Sequence, residues 1–165
     1  MKKITYIIFT FIVLIFVNNW SGYKPIFGSG NLKFKISNYS IEGDKILGNQ
    51  ILSKLQRVSR ANNKDQNVKS IDVFIDSTKS KISTVKDIAG KIQEYKITLT
   101  INISVSDYLS DKQILNETFV SSTSYKVQDN YSETVDAENR SIENLINNIY
   151  QQLLIKLSQK IGTEW

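Results

Sequence analysis

The sequence predicts an α+β fold: a two-layer sandwich in which a mostly antiparallel, mixed sheet of about four strands carries two helices on one face. Three observations predict it. Tyr95 to Ser106 alternates apolar and polar residues without interruption, so one sheet face is apolar and the other polar. Ile142, Leu145, Ile146, Ile149, Leu153, Leu157 and Ile161 recur at helical spacing near the C-terminus. The order strand, helix, several strands, helix gathers the helices on one side of the sheet.

Taken in order, the chain opens with Lys2-Lys3 before the uncharged, largely apolar run Ile4 to Val17. A cationic start and a short apolar run are the pattern of a bacterial export signal. At 1.5 Å per residue the run's 14 residues reach about 21 Å, short of the roughly 30 Å that a spanning helix must cross. Asn18-Asn19-Trp20 gives no small-residue cleavage pattern. Residues 1–21 are therefore read as a signal peptide or a retained N-terminal membrane anchor. Residues 22–31, with Pro25 and three glycines, read as an extended tether. Residues 32–165 read as one domain.

In that domain Leu32, Phe34 and Ile36 alternate with lysines as a strand continuing towards Ile41. Asp44 is a candidate N-cap for a helix bearing Leu47, Ile51, Leu55 and Val58 on one face. Lys54, Arg57 and Arg60 sit near its C-terminal end, where the helix dipole favours cations. Val68 to Asp76 reads as a second strand, Ser77 to Ser80 as a turn, and Lys81 to Ile88 as a return strand before a turn at Ala89-Gly90. Asp107 to Asp111 turns the chain from the long alternating strand into its hairpin partner, Gln113 to Val127. Asn130 with Glu133 resembles a capping box for the final helix. Glu133, Asp136 and Glu138 in its first turns and Lys156 and Lys160 in its last complement the dipole, and Gly162 suits a C′ position.

Composition removes whole classes of chemistry. The chain has neither cysteine nor histidine, which excludes disulfides, thiol catalysis, Ser-His triads and zinc sites of the usual ligands. No cofactor is expected. A two-carboxylate hydrolase would draw on Asp72 with Glu94 or Glu117, but these alternate with apolar residues as solvated strand positions do. The net charge of +5 is uneven. Residues 24–96 hold 14 Lys/Arg against 7 Asp/Glu, and residues 97–165 hold 5 against 9. A basic first half suits phosphate groups of lipid or nucleic acid. Nucleic acid is not expected as a partner, because the chain reads as exported and interleaves no aromatics with the basic residues on a strand. Thr98, Thr100, Asn102, Ser104 and Ser106 form the polar side of the long strand. They read as a solvated face or as one packed against a wet protein surface such as a barrel lumen.

Three stretches resemble one known family. Gly22-Tyr23-Lys24-Pro25-Ile26-Phe27-Gly28 is similar to the start of the mature chain in lipopolysaccharide-assembly lipoproteins of the LptE type, with Ser21 where that family carries its lipidated cysteine. Gly90-Lys91-Ile92-Gln93-Glu94-Tyr95 resembles the turn glycine and Glu-Tyr opening of that family's long strand. Gln151 to Leu157 resembles the end of its terminal helix. The resemblance implies a non-enzymatic subunit, exported to the periplasmic side of the outer membrane. There it would plug and help assemble the lipopolysaccharide-transport β-barrel (LptD-type, one-to-one) and bind lipopolysaccharide. Lys79, Lys81, Lys86 and Lys91 are the expected phosphate contacts. Thr98, Thr100, Asn102 and Ser104 are the expected barrel contacts. With Ser21 at the cysteine position, no lipid anchor is expected. The competing expectation is a generic periplasmic transport-auxiliary protein that binds other lipids.

Overall fold

The computed structural model describes residues 32–61 and 68–162; the leader, the tether and the Ser21–Gly28 block lie outside the described residues. Six elements follow in order: β1 (Phe34–Gly43), α1 (Lys45–Ala61), β2 (Lys69–Lys86), β3 (Ile92–Asp107), β4 (Gln113–Lys126) and α2 (Tyr131–Gly162). The four strands form one sheet in the order β1-β2-β3-β4. β1 runs parallel to β2, with α1 as the crossover, and the other two pairings are antiparallel. The fold is the mixed α+β sandwich that the periodicity predicts.

Alternation decides what is buried. Ile97, Leu99, Ile101, Ile103 and Val105 of β3 are wholly buried, as are Ile71, Val73 and Ile75 of β2. Leu47, Ile51, Leu52 and Leu55 of α1 and Leu145 to Ile161 of α2 close over them. Each such side chain contributes about 1.5–3 kcal/mol by leaving water, so this one layer dominates stability.

The ends of the helices are held by local polar bonds. Asp44 Oδ1 accepts from the amides of Ile46 and Leu47, as an N-cap should. Asn130 Oδ1 accepts from Ser132 N at the start of α2. Thr134 Oγ1 accepts from Gln128 N, two residues before the cap, and so ties the incoming chain to the first turn of α2. Gly43 sits at φ +71° opposite Ser77, and a Cβ there would meet Ser77 O at 2.1 Å. That close approach lets Asp44 N donate to Ser77 O while Ser77 Oγ donates to Asp44 O.

One expected feature is corrected. Ser77 to Ser80 is not a turn, and Lys81 to Ile88 is not a return strand; β2 continues unbroken through Lys86. Ser77 is fully buried where α1 begins, and Thr78, Lys79 and Ser80 pair with Thr100, Leu99 and Thr98 of β3. The stretch is polar because the strand is leaving the core there. Turn composition and solvated-strand composition are the same at such a point. The result is one long β2–β3 hairpin whose tip reaches past the end of β4, since Lys126 pairs with Glu94.

Candidate functional site

The root of the hairpin is clamped by a cluster drawn from four elements. Tyr95 of β3 and Tyr125 of β4 are opposite each other in register and stack, with centroids 5.8 Å apart and planes 28° apart. The Lys81 ammonium lies over both rings, 4.4 Å from the Tyr95 centroid and 5.5 Å from that of Tyr125. It also donates to Glu138 Oε2 of α2. The Tyr125 hydroxyl donates to the same oxygen at 2.8 Å. Burial pushes the Glu138 carboxyl up, but the bonds from Lys81 and Tyr125 outweigh it, and the carboxyl is held below its ordinary range. Burial likewise opposes the Lys81 charge, and its bonds to Glu138 and Tyr125 reverse that, so the ammonium is held above its ordinary range. Burial raises the Tyr125 phenol. Cation–π contact and a shared carboxylate thus commit Lys81 to holding the hairpin onto α2.

The tip is built differently. Asp87 organises the turn: its Oδ1 accepts from Ala89 N and Lys91 N, and its Oδ2 accepts from Gln93 Nε2. Gly90 takes φ +82° and donates to Asp87 O. Asp87 N donates to Lys91 O, which brings Lys86 and Lys91 to opposite sides of the same turn. Every residue from Thr78 to Lys91 is exposed. Ile82, Val85 and Ile88 are exposed here as well, and Ile88 is wholly so at 110%. Two β-bulges, at Ser83/Val85 and Val85/Lys86, twist this end of the strand. The four predicted lysines therefore fall into three settings. Lys81 is engaged at the root, Lys86 and Lys91 flank the tip, and Lys79 faces α2.

The sheet face away from the helices is a ladder of hydroxyls and amides. Thr98, Thr100, Asn102 and Ser104 lie along its middle strand, half-buried between Ser80, Thr78, Asp76 and Phe74 of β2 and Ser122, Val120, Thr118 and Asn116 of β4. Asn102 links three strands, donating to Asp76 Oδ2 and accepting from Thr118 Oγ1 at 2.7 Å. The structure thus brings the four predicted barrel-contact residues together on one face, which no described helix covers. Val120, 57% exposed, is an apolar point on it.

Two groupings were not visible in the sequence. Lys79 lines a groove of about 890 Å³ between α1 and α2, together with Lys54 and Arg57 and above Leu47, Ile142 and Ile146. Lys54 and Arg57 read only as dipole-complementing cations, although their spacing of three already places them on one helix face. The exposed apolar residues of the tip read only as ordinary strand positions. The carboxylates Asp72, Glu94 and Glu117 are not brought together. Asp72 accepts from Asn38 at the β1 edge, Glu94 accepts from Thr84 on the hairpin, and Glu117 pairs with Lys156. Along β3, Asp72 and Glu94 are twelve register positions apart, about 40 Å.

The fold recurs in solved structures. A candidate lipoprotein from Caulobacter crescentus aligns over 79% of this chain and 92% of its own, at 9% identity and a TM-score of 0.57. Lipoprotein B from Nitrosomonas europaea aligns over 80% and 86%, at 14% identity and 0.56. A minor lipoprotein from Acinetobacter baumannii aligns over 78% and 93%, at 15% identity and 0.54. At these identities the likeness establishes the fold alone. No curated protein matches the sequence. The family model described as LptE, lipopolysaccharide-assembly, matches residues 32–158, which span the sheet, the hairpin and nearly all of α2, and the chain therefore belongs to the LptE lipopolysaccharide-assembly family.

Proposed function

We propose that this chain is a non-enzymatic, exported subunit of the outer-membrane lipopolysaccharide assembly complex. It pairs one-to-one with the LptD-type β-barrel on the periplasmic side, plugging the barrel, helping it assemble and binding lipopolysaccharide. The observation that carries the reading is the ladder Thr98–Thr100–Asn102–Ser104 on the face that neither described helix covers, uncharged along β3 and rich in both donors and acceptors. Such a surface suits the wet, polar lumen of a large barrel. Lys79, Lys86 and Lys91 serve as phosphate contacts, while Lys81 holds the hairpin at the angle that presents them. The test is co-purification of tagged full-length chain from its own envelope. Thr100→Lys combined with Asn102→Lys should sharply reduce recovery of the barrel while leaving the thermal unfolding midpoint within a few degrees. Unchanged recovery would remove the plug reading.

A second reading is favoured by the groove between the helices. Its apolar floor and the cations Lys54, Arg57 and Lys79 fit a single lipid held by a transport-auxiliary protein without a barrel. Recovery of the chain with inner-membrane transporter subunits in place of a barrel would support it.

A further inference from the structure

We propose that the tip of the β2–β3 hairpin is a lipid-inserting wedge. Ile88 enters the acyl region of an anionic lipid surface with Val85 beside it, and Lys86 and Lys91 meet the phosphates at its boundary. This deepens the reading of Lys86 and Lys91 as phosphate contacts and rests on it.

Four observations converge on the tip. Ile82, Val85 and Ile88 fall within seven residues and are 55%, 47% and 110% exposed, so among the described residues nothing covers these three aliphatic side chains. By register Ile82 and Val85 lie opposite Lys96 and Glu94, on the sheet face that neither helix reaches. Lys86, Lys91 and Lys96 outnumber Glu94, which already accepts from Thr84, around these side chains, and apolar groups with such a cationic surround are what an interfacial element requires. The turn is pre-organised: Asp87 directs both carboxylate oxygens at Ala89, Lys91 and Gln93, which holds the loop closed and turns its negative charge inward. The hairpin is stiffened at its base by the Lys81–Glu138–Tyr95–Tyr125 cluster, so the apex is presented at a fixed angle. Charge complementarity selects an anionic lipid over a neutral one, because each lysine near an anionic surface adds roughly fivefold to binding.

The test uses the full-length chain, which has no cysteine of its own. Ile88→Cys carries an environment-sensitive fluorophore, and Ser122→Cys on the β4 side of the open face carries the same label as a control. Vesicles of phosphatidylglycerol should blue-shift and brighten the label at position 88 while leaving that at 122 unchanged. Brominated acyl chains should quench it, and vesicles of phosphatidylcholine should do little. Adding Lys86→Gln and Lys91→Gln should weaken the response by roughly 30-fold in lipid concentration. A label at 88 that stays in water with every vesicle overturns the wedge, as does an equal response to phosphatidylcholine or in the double lysine variant. If the label stays in water while the same chain still binds lipopolysaccharide through its lysines, the wedge falls and the proposed function stands. Loss of both removes the phosphate-contact reading as well.

Discussion

The root and the tip of one hairpin carry the same residue types and put them to opposite uses. At the root, Lys81 is matched by Glu138, lies over two tyrosine rings and closes the sheet onto α2. At the tip, Lys86 and Lys91 flank a turn whose own carboxylate is already occupied, beside aliphatic side chains left in water. A lysine count therefore does not measure a binding surface. What matters is whether the fold supplies the counter-charge. Where it does, the cation is structural; where it does not, the cation is available to a phosphate.

The largest effect expected from breaking this contrast is at the root. Tyr125→Ala removes a buried ring, its stacking on Tyr95 and a bond to Glu138, and should cost about 3 kcal/mol in urea unfolding. Glu138→Gln should cost less, about 1 kcal/mol, because Lys81 keeps its rings and part of its solvent. That cost should depend on pH. Glu138 titrates below its ordinary 4.5 in the folded state, so its contribution is complete above that value and fades as pH falls through the folded pKa. Lys81 titrates above its ordinary 10.5, so its share is complete below that value and is lost only as pH rises through the higher folded pKa. The stability gap between the wild type and Glu138→Gln should therefore be flat from about pH 5 to 10 and close in acid. At the tip, Gly90→Ala should cost roughly 1 kcal/mol, from left-handed strain alone, because a Cβ there meets nothing within 4 Å. Ile88→Ser should be the smallest, within about 0.5 kcal/mol of the wild type, since the residue has no packing to lose. A large loss there would mean that the tip is buried against something in this chain.

Much of this architecture was legible in the sequence. The alternation of Tyr95 to Ser106 announces a two-faced strand, and the aliphatic stripe of α2 announces the helix that covers one face. Asp44 and Asn130 were readable as caps because capping is local. What was not legible depends on distant neighbours. Ser77 to Ser80 looked like a turn because the strand leaves the core there, and only its pairing with β3 distinguishes the two. Lys81 looked like its fellow lysines because Glu138 is 57 residues away. Ile82 and Val85 looked like ordinary strand residues, and whether they are covered is set by where β4 ends and by which sheet face the helices pack on. The groove that gathers Lys54, Arg57 and Lys79 depends on how far apart the two helices run, which no local pattern encodes. The residues of the candidate site were visible one by one, but not their division between the clamp at the root and the exposed turn at the tip.

One paired measurement tests that division directly: lipopolysaccharide binding and thermal midpoint for Lys81→Gln beside Lys86→Gln/Lys91→Gln, all in the full-length chain. The double tip variant is expected to lose most of its binding with an unchanged midpoint, and Lys81→Gln to lower the midpoint with a much smaller loss of binding. Binding lost in Lys81→Gln at an unchanged midpoint, with the tip variant still binding, would contradict that division.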